Sequence, residues 1–375
     1  MSLRERLGLL RGLLSGEFAY AGPFAVTVDV TRSCNLRCAG CGAHSARIES
    51  PRARASSGQD LDPELLAGLC RELRQTGTRR LIFCGEREPL LHPRLLDLVR
   101  LAKAATFHTA LLTNGTLLNE VSARALVETG LDTLRVSLWG STPASYTNNS
   151  PGTDARWFHA TVRGLELVRS ERKLCGSATP RGILHVVFSN LNWREVEGFV
   201  DLAIEAGVDA VSFSPLHTLS GKVSSLALDR KQGSAVGSSL LKGARRLQRA
   251  GIEHNVEETI RRYGIGEEVR RHVPCYIGWT HPRIAVDGTA FPCGPCDRPL
   301  GGLSDQGFRE IWNGDRYREF RRTLVDAGSA EVLDRDCDCS FCCHVRDHAR
   351  IQRAYRWVAP VAPLFRNYHA QSAKE

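Results

Sequence analysis

The 375-residue sequence contains no long apolar run, and this absence limits where the protein can reside. A helix that crosses a bilayer needs about 18 or more consecutive apolar residues, and no such stretch occurs. Residues 1–10 carry charges throughout and lack the apolar core and small-residue cleavage site of a secretory signal. The sequence therefore predicts a cytoplasmic protein with no membrane-spanning segment.

The sequence also lacks any basic stretch with interleaved aromatic residues, which argues against a nucleic-acid partner. The formal charge is +9, but it is scattered over arginine-rich helical faces and forms no long block. A solvated basic surface accounts for this charge, and an anionic substrate such as a phosphate ester is the alternative. Neither an internal repeat nor a low-complexity tract occurs.

Cysteine, in contrast, is abundant and unevenly distributed. Of 13 cysteines, three lie within residues 34–41 and seven within residues 275–343. In a cytosolic chain, clustered cysteines indicate metal ligands rather than disulfides. The other three, Cys70, Cys84 and Cys175, lie in apolar periodic segments, and we expect them to pack as small hydrophobic residues.

Strand and helix patterns alternate strictly from residue 24 to residue 214. Such alternation predicts an α/β fold with parallel strands and right-handed crossovers, and it places a ligand site at the C-terminal ends of the strands. Asp62 and Pro63 are typical of the cap and first position of a helix. The predicted strands are 24–30, 80–84, 109–113, 133–138, 183–188 and 210–214, and the predicted helices are 62–76, 93–105, 119–130, 157–170 and 193–206.

The composition divides the chain into five segments. The first is an N-terminal amphipathic helix whose leucines recur at helical spacing, at Leu3, Leu7, Leu10 and Leu14. We expect this helix to pack over the main domain, and contact with a membrane surface is the alternative. The predicted boundaries are 1–23 for this helix, 24–216 for the core, 217–272 for a helical connector, 273–348 for a cysteine-rich domain and 349–375 for an apolar tail.

The first cysteine group, Cys34-Asn-Leu-Arg-Cys38-Ala-Gly-Cys41, follows the first predicted strand. Four cysteines close the coordination of a 4Fe–4S cluster, so three leave one iron open to a small molecule. A second motif, Gly85-Glu-Arg-Glu88-Pro89-Leu-Leu-His-Pro93, follows the second strand. Its carboxylate and strand-end carbonyls suit an ammonium group, and Gly85 permits a close approach of the backbone.

Over residues 24–215, these two motifs together resemble the radical S-adenosylmethionine (SAM) enzymes. The resemblance implies that Cys34, Cys38 and Cys41 hold a 4Fe–4S cluster whose open iron is chelated by the methionine moiety of SAM. It further implies that the segment containing Gly85, Glu88 and Pro89 contacts the amino group of SAM. Polar residues at the third and fourth strand ends, here Asn114 and Ser137, bond the carboxylate and ribose in this family. The alternative is that these two residues bond their own backbone.

Two residues depart from the family pattern. Many members carry an aromatic residue just before the third cysteine, where it packs on the adenine, and here that position is Gly40. The adenine must then find an apolar contact elsewhere. Arg87 replaces a glycine that often precedes Glu-Pro, so its side chain either points away or reaches the active site.

The second cysteine group resembles the SPASM or twitch extension of radical SAM enzymes, which holds auxiliary 4Fe–4S clusters. Val286-Asp-Gly288-Thr fits its hairpin turn. The spacing resembles the single-cluster arrangement, which implies one auxiliary cluster. The alternative is a structural zinc site. The implied ligands are Cys275, Cys293, Cys339 and Cys342, with Cys296, Cys337 and Cys343 as alternates. His344 and His348 follow at helical spacing. We expect a solvated helix face there, and metal ligation is the alternative.

The resemblance implies a partial (β/α)6 barrel with a small C-terminal Fe–S domain. It implies reductive cleavage of SAM to a 5′-deoxyadenosyl radical, with an electron donor such as flavodoxin or ferredoxin. We expect a net oxidation of a small molecule, since no winged-helix peptide-recognition domain precedes residue 24. The alternatives are modification of a ribosomal peptide and a catalytically silent Fe–S or zinc scaffold that binds a partner. Trp139, Tyr146 and His217 follow strands at the catalytic end, where they either touch substrate or pack the loops.

Overall fold

A computed structural model describes most of the chain. The described residues are 3–41, 45, 59–84, 87–217, 223–265, 273–326, 337 and 342–363. They separate into two compact units. One unit contains residues 29–61 and 82–266, and the other contains residues 1–28, 62–81 and 267–375. The domain boundaries expected from composition stay a prediction.

The described residues form helices and strands at the following positions. The strands are β1 (Ala25–Asp29), β2 (Arg80–Cys84), β3 (His108–Thr113), β4 (Thr133–Ser137), β5 (Arg181–Phe188), β6 (Ala210–Pro215), β7 (Glu253–His254), β8 (Arg283–Ile284), β9 (Thr289–Phe291) and β10 (Gly301–Gly302). The helices are α1 (Leu3–Ser15), α2 (Pro63–Thr76), α3 (Leu95–Ala104), α4 (Glu120–Glu128), α5 (Pro143–Asn149), α6 (Ala155–Leu174), α7 (Val196–Ala206), α8 (Arg230–Arg249), α9 (Val256–Ile265), α10 (Phe308–Asn313), α11 (Asp315–Asp326) and α12 (Val345–Tyr355).

The unit of residues 29–61 and 82–266 is built on parallel strands. Strands β3 to β7 pair in sequence order, and every one of these pairings is parallel. Helices connect successive strands, as right-handed crossovers require. Alternate side chains point to opposite faces of the strands. Phe188 on one face stacks on Phe213 at 5.7 Å between ring centroids and meets Phe199 edge-on at 5.9 Å.

The other unit contains a smaller set of strands. β1 pairs in parallel with β8, with Thr27 opposite Arg283. β8, β9 and β10 then pair antiparallel in that order. The turn between β8 and β9 contains Gly288 at φ +82°, a left-handed conformation that favours glycine. The hairpin predicted at this position is therefore confirmed.

Most predicted elements agree with the structure within a few residues. Asp62 caps α2 by accepting the N–H of Glu64, and Pro63 is its first residue. Sequence reasoning missed α5, whose capping box joins Thr142 and Ser145. It also missed β7, which places a parallel strand inside the segment expected to be a helical connector. A two-residue strand is too short to leave a periodic pattern.

The N-terminal helix α1 presents a different face from the one predicted. Leu9 and Leu13 are buried, whereas Leu3 and Leu7 are 73 % and 57 % exposed. The face is set by Gly12, where an added Cβ would lie 3.0 Å from the Trp279 ring. Among the described residues, no helix is both long enough and apolar enough to span a bilayer.

Candidate functional site

The first cysteine loop begins after β1 and is held by backbone hydrogen bonds. Cys41 N–H donates to the carbonyl of Cys38 at 3.0 Å, which closes a tight turn between the two cysteines. Ala39 N–H donates to the carbonyl of Asn149, the last residue of α5, at 2.8 Å. The hydroxyl of Ser45 donates to the carbonyl of Ala39 at 2.7 Å. Helix α5, which the sequence analysis missed, therefore fixes the middle of the cysteine loop.

The three cysteines of this loop influence one another electrostatically. Burial raises the pKa of Cys34 to about 11 and that of Cys38 to about 12, and the nearby Cys41 contributes to both rises. The sulfur of Cys34 accepts the N–H of Leu36 at 3.5 Å, and the Ser150 hydroxyl lies 3.4 Å from the sulfur of Cys38. Partly buried cysteines that stay protonated on their own become thiolates when a metal cation lies beside them, so the loop fits an iron cluster.

Glu88 links the second motif to the end of β3. Its carboxylate is buried and accepts three hydrogen bonds: from the Thr113 hydroxyl at 2.5 Å, from Asn114 N–H at 2.7 Å and from Leu90 N–H at 3.0 Å. Burial raises the pKa of Glu88, although these donors oppose the rise. Its own N–H donates to the carbonyl of Ser33 at 3.0 Å. Glu88 thus ties together the cysteine loop and two strand ends.

Asn114 belongs to a side-chain network that reaches the cysteine loop. Its Nδ2 donates to Oδ1 of Asn35 at 2.8 Å, and Nδ2 of Asn35 donates to the Thr116 hydroxyl at 2.8 Å. That hydroxyl donates to Oδ1 of Asn114 at 2.7 Å, which also accepts the N–H of Thr116 at 3.0 Å. Asn114 therefore makes the local hydrogen bonds considered as the alternative, and it also bonds to the cysteine loop through Asn35. Sequence reasoning missed Asn35, although its position next to Cys34 was a signal.

The remaining residues predicted to bind SAM lie at strand ends or outside the described residues. Pro89 is buried and begins a 3₁₀ turn, Pro89–Leu91, directly after Glu88. Ser137 is the last residue of β4, level with His185 of β5. Gly85 lies outside the described residues.

Gly40 is packed against an aromatic side chain from elsewhere in the chain. A Cβ added to Gly40 would lie 2.8 Å from Cζ3 of Trp139 and 2.9 Å from Cδ1 of Leu216. The two side chains pack against Ala39, Val187 and neighbouring apolar residues. Trp139 therefore lies beside the position at which the resemblance to radical SAM enzymes implies an aromatic residue.

A polar row crosses the parallel strands beside Ser137. His185 lies between Ser137 and Ser212 in the strand register. Burial, together with the nearby guanidinium of Arg135, lowers the pKa of His185 to about 3. Arg262 donates to the hydroxyl of Ser214 at 2.9 Å. The face of the sheet that includes Ser137 therefore carries a neutral imidazole together with guanidinium groups.

His92, which follows the second motif, has a structural role. Its Nδ1 accepts the N–H of Arg94 at 3.0 Å. Because Nδ1 accepts, the ring proton is on Nε2, which lies 3.0 Å from the carbonyl of Leu61. Both ring nitrogens therefore have backbone partners at the helix entry.

The second cysteine group lines a small cavity in the other unit. Two of the expected alternates, Cys296 and Cys337, form a disulfide, whereas the sequence analysis expected metal ligands rather than disulfides among the clustered cysteines. Cys339 lies outside the described residues. The polar and sulfur-bearing residues that line the cavity are Cys275, Cys293, Cys296, Cys337, Cys342, Cys343, His344 and His348. The cavity thus brings together three of the four expected ligands.

The histidines that follow this group are not on a solvated helix face, which corrects the prediction. His348 is 3 % exposed, and its Nδ1 accepts the N–H of Tyr276 at 3.3 Å. The rings of His281 and His344 lie 4.5 Å apart between centroids. Together with Asp347 they offer ligand atoms within 4.8 Å of one another. The sequence spacing gave no sign that a loop residue as distant as His281 would join them.

Two family models match the chain. The model of the radical SAM superfamily matches residues 28–203, and the SPASM model, an iron–sulfur cluster-binding domain, matches residues 275–344. The first range contains the Cys34 loop, and the second begins at Cys275. Each matched range therefore contains one of the two cysteine groups.

Among proteins of known function, two relatives align over most of their length. The PqqA peptide cyclase of Ruegeria pomeroyi is 27 % identical over 82 % of this chain and 78 % of its own. The AdoMet-dependent heme synthase of Methanosarcina barkeri is 24 % identical over 85 % of this chain and 91 % of its own.

Solved structures show the same fold. SuiB of Streptococcus suis, bound to the precursor peptide SuiA, has a TM-score of 0.65 at 13 % identity and covers 91 % of this chain and 76 % of its own. The structure of anSMEcpe with bound AdoMet has a TM-score of 0.62 at 17 % identity and covers 90 % of this chain and 99 % of its own. These likenesses confirm the predicted fold class.

Proposed function

We propose that this chain, which belongs to the radical SAM superfamily and carries a C-terminal SPASM iron–sulfur domain, modifies a peptide substrate by radical chemistry. Its family implies a 4Fe–4S cluster with SAM, and its SPASM domain implies auxiliary iron–sulfur clusters. The similarity to a PqqA peptide cyclase over 82 % of this chain supports the peptide as substrate. The relatives thus favour the second of the two substrate classes considered from the sequence.

The first cysteine loop, which carries Cys34, Cys38 and Cys41, is the observation that supports this proposal. Cys34, Cys38 and Cys41 would hold three irons of the cluster and leave the fourth for SAM. When bound, the cluster and SAM supply a 5′-deoxyadenosyl radical, formed by one-electron reductive cleavage of the sulfonium, that abstracts a hydrogen atom from the substrate. The amide of Leu36 donates toward the sulfur of Cys34, and the hydroxyl of Ser150 would donate toward Cys38 once that sulfur is a ligating thiolate. Both groups would stabilise the negative charge of the sulfurs.

Glu88 and Asn114 would fix the orientation of SAM. A carboxylate offers about four acceptor sites, and Thr113, Asn114 and Leu90 occupy three of those on Glu88. The remaining site suits one N–H of the SAM amino group. The second N–H of the Asn114 amide is available to the SAM carboxylate, because the first donates to Asn35. Ser137 would reach the ribose or carboxylate from the end of β4.

Trp139 and Leu216 would provide the apolar contact for the adenine. Gly40 cannot carry the aromatic side chain found in related sequences while Trp139 occupies the adjacent space. Stacking of a base on an aromatic ring is worth about 1–3 kcal/mol. Replacing Trp139 with alanine is thus expected to weaken SAM binding about tenfold or more.

A net oxidation of the substrate is the reaction class that we propose. Cys275, Cys293, Cys339 and Cys342 would hold one auxiliary cluster, which would supply an electron acceptor. A flavodoxin or ferredoxin would deliver the electron that initiates turnover. A small molecule is the second candidate substrate, because the heme synthase of Methanosarcina barkeri aligns over 91 % of its length.

Anaerobic reconstitution tests the cofactor part of the proposal. We expect about eight irons per chain, 5′-deoxyadenosine on addition of dithionite and SAM, and none in Cys38→Ala. Cys175→Ala is the matched control, since Cys175 is an exposed cysteine at the end of α6, and we expect full activity from it. Zinc in place of iron, or a loaded protein that does not bind SAM, would support the silent scaffold instead.

The substrate class is tested with extract of the source organism. The extract is split by ultrafiltration, and each fraction is added with SAM and dithionite. We expect the peptide fraction to increase 5′-deoxyadenosine formation, and prior protease treatment to abolish the increase. Mass spectrometry should then detect a peptide lighter by two hydrogen atoms. Stimulation that survives protease treatment would assign a small-molecule substrate.

A further inference from the structure

We infer that His348 is a positioning residue that donates an Nε2–H···S hydrogen bond to Cys275 and raises the reduction potential of the auxiliary cluster. This inference rests on the proposed role of Cys275 as a cluster ligand. His348 lies in the first turns of α12, far from Cys275 in sequence, and its ring is 3 % exposed. A buried polar ring needs a partner for each of its two nitrogens.

One nitrogen of the ring is assigned by its backbone partner. Nδ1 of His348 lies 3.3 Å from the amide nitrogen of Tyr276, whose N–H points to it. An amide can only donate, so Nδ1 must accept and cannot carry a proton. The neutral ring therefore carries its proton on Nε2.

The other nitrogen faces the sulfur. Nε2 of His348 lies 4.0 Å from Sγ of Cys275, the residue that precedes Tyr276. With the proton on Nε2, the ring can donate to this sulfur but cannot offer it a lone pair for metal binding. The same tautomer argument excludes Nε2 as a cluster ligand in this arrangement. His348 therefore holds the Cys275–Tyr276 backbone through one nitrogen and the thiolate through the other.

A donor to a ligating sulfur changes the energy of the cluster. Hydrogen bonds to cluster sulfurs are among the determinants of its potential, because they stabilise the more negative, reduced state. We expect the loss of one such donor to change the reduced-to-oxidised ratio about tenfold. For a one-electron couple, tenfold corresponds to about 59 mV.

The test uses the full chain with Cys34, Cys38 and Cys41 replaced by alanine, so that only the auxiliary centre is observed. Its potential is measured by redox titration followed with electron paramagnetic resonance. We compare His348→Met, which removes the donor at similar volume, with His348→Gln, whose amide provides both a donor and an acceptor. Gln352→Met is the matched control, because Gln352 lies one turn later on α12 and contacts the Tyr276 hydroxyl rather than the sulfur.

We expect His348→Met to lower the reduction potential by the amount that corresponds to a change of about tenfold in the reduced-to-oxidised ratio. His348→Gln should recover most of this shift, and Gln352→Met should leave the potential unchanged. A full iron count with an unchanged potential in His348→Met would overturn the inference and leave the proposed function intact. Absence of iron in the parent protein would overturn both.

If a variant fails to load iron, the inference is tested instead by pulsed electron paramagnetic resonance on the parent protein labelled with ¹⁵N-histidine. A weak nitrogen coupling supports the hydrogen bond. A strong coupling, typical of a directly bound nitrogen, or the absence of any coupling overturns it.

Discussion

A side chain placed at Gly40 is expected to destabilise the protein, because Trp139 occupies the space that it would need. The backbone of Gly40 is not in the left-handed region, so alanine is allowed by conformation and is opposed only by contacts. Its Cβ would lie 2.8 Å from the Trp139 ring and 2.9 Å from a methyl group of Leu216. The leucine methyl can rotate away, whereas the indole ring must move as a rigid body.

Overpacking of this kind costs about 1–3 kcal/mol in free energy of unfolding. Tyrosine, closer to what related sequences carry, should cost more than alanine. Replacing Trp139 with alanine removes the obstacle, so the double variant Gly40→Ala/Trp139→Ala should lose about 1–3 kcal/mol less than the sum of the two single variants. The sign of this coupling is the quantity predicted.

Urea unfolding of the iron-free protein measures these free energies without involving the cofactors. Gly237→Ala is the matched control, because it lies in α8, where an added Cβ would be 3.6 Å from Ile260. Helix propensity there predicts a gain of about 1 kcal/mol. An unchanged stability in Gly40→Ala, or strictly additive effects with Trp139→Ala, would refute the packing argument.

Three further changes are expected to alter stability, each measured on the iron-free protein. Glu88→Ala leaves three buried donors without an acceptor and should cost more than about 2 kcal/mol; a smaller loss would mean that water replaces the carboxylate. Asp132→Asn tests pH dependence: burial would raise the pKa of Asp132, but its bonds to Lys103 and Thr109 lower it below 3.8, so wild type should be more stable at neutral pH and lose that advantage as the pH falls below 3.8. An advantage that persists in acid would contradict this assignment. Arg321→Met removes a fully buried guanidinium that donates to three oxygens and lies 4.6 Å from the centroid of Trp312, and urea titration should show a loss of about 2–4 kcal/mol.

The alternation of strands and helices was predictable because each element has a clear local pattern. The apolar face of α2 and its Asp62 cap are encoded within the helix itself. The three-cysteine loop was equally local, since its residues lie within a single turn after β1. Elements without a pattern of their own were missed: α5 is seven residues long and polar, and β7 contains two residues.

The contacts that organise the site were less predictable, because they join distant parts of the chain. Asn35 and Asn114 are 79 residues apart, and the hydrogen bond between their side-chain amides depends on how β3 ends beside the cysteine loop. The sequence identified Trp139 as a candidate for substrate contact, but its position against Gly40 could be seen only in the folded structure. The face of α1 was mispredicted for the same reason, since Trp279 selects the face that contains Gly12.

Local sequence and tertiary contacts contribute differently to the two cysteine centres. Spacing within a loop determines how many thiolates can meet and therefore which kind of cluster can form. The side-chain groups near the sulfurs come from further away: Ser150 is 112 residues from Cys38, and His348 is 73 residues from Cys275. Because such groups influence the reduction potential, related chains with identical cysteine spacing can differ in potential. The substitutions that distinguish them should then be found at the end of α5 and in α12 rather than in the cysteine motifs.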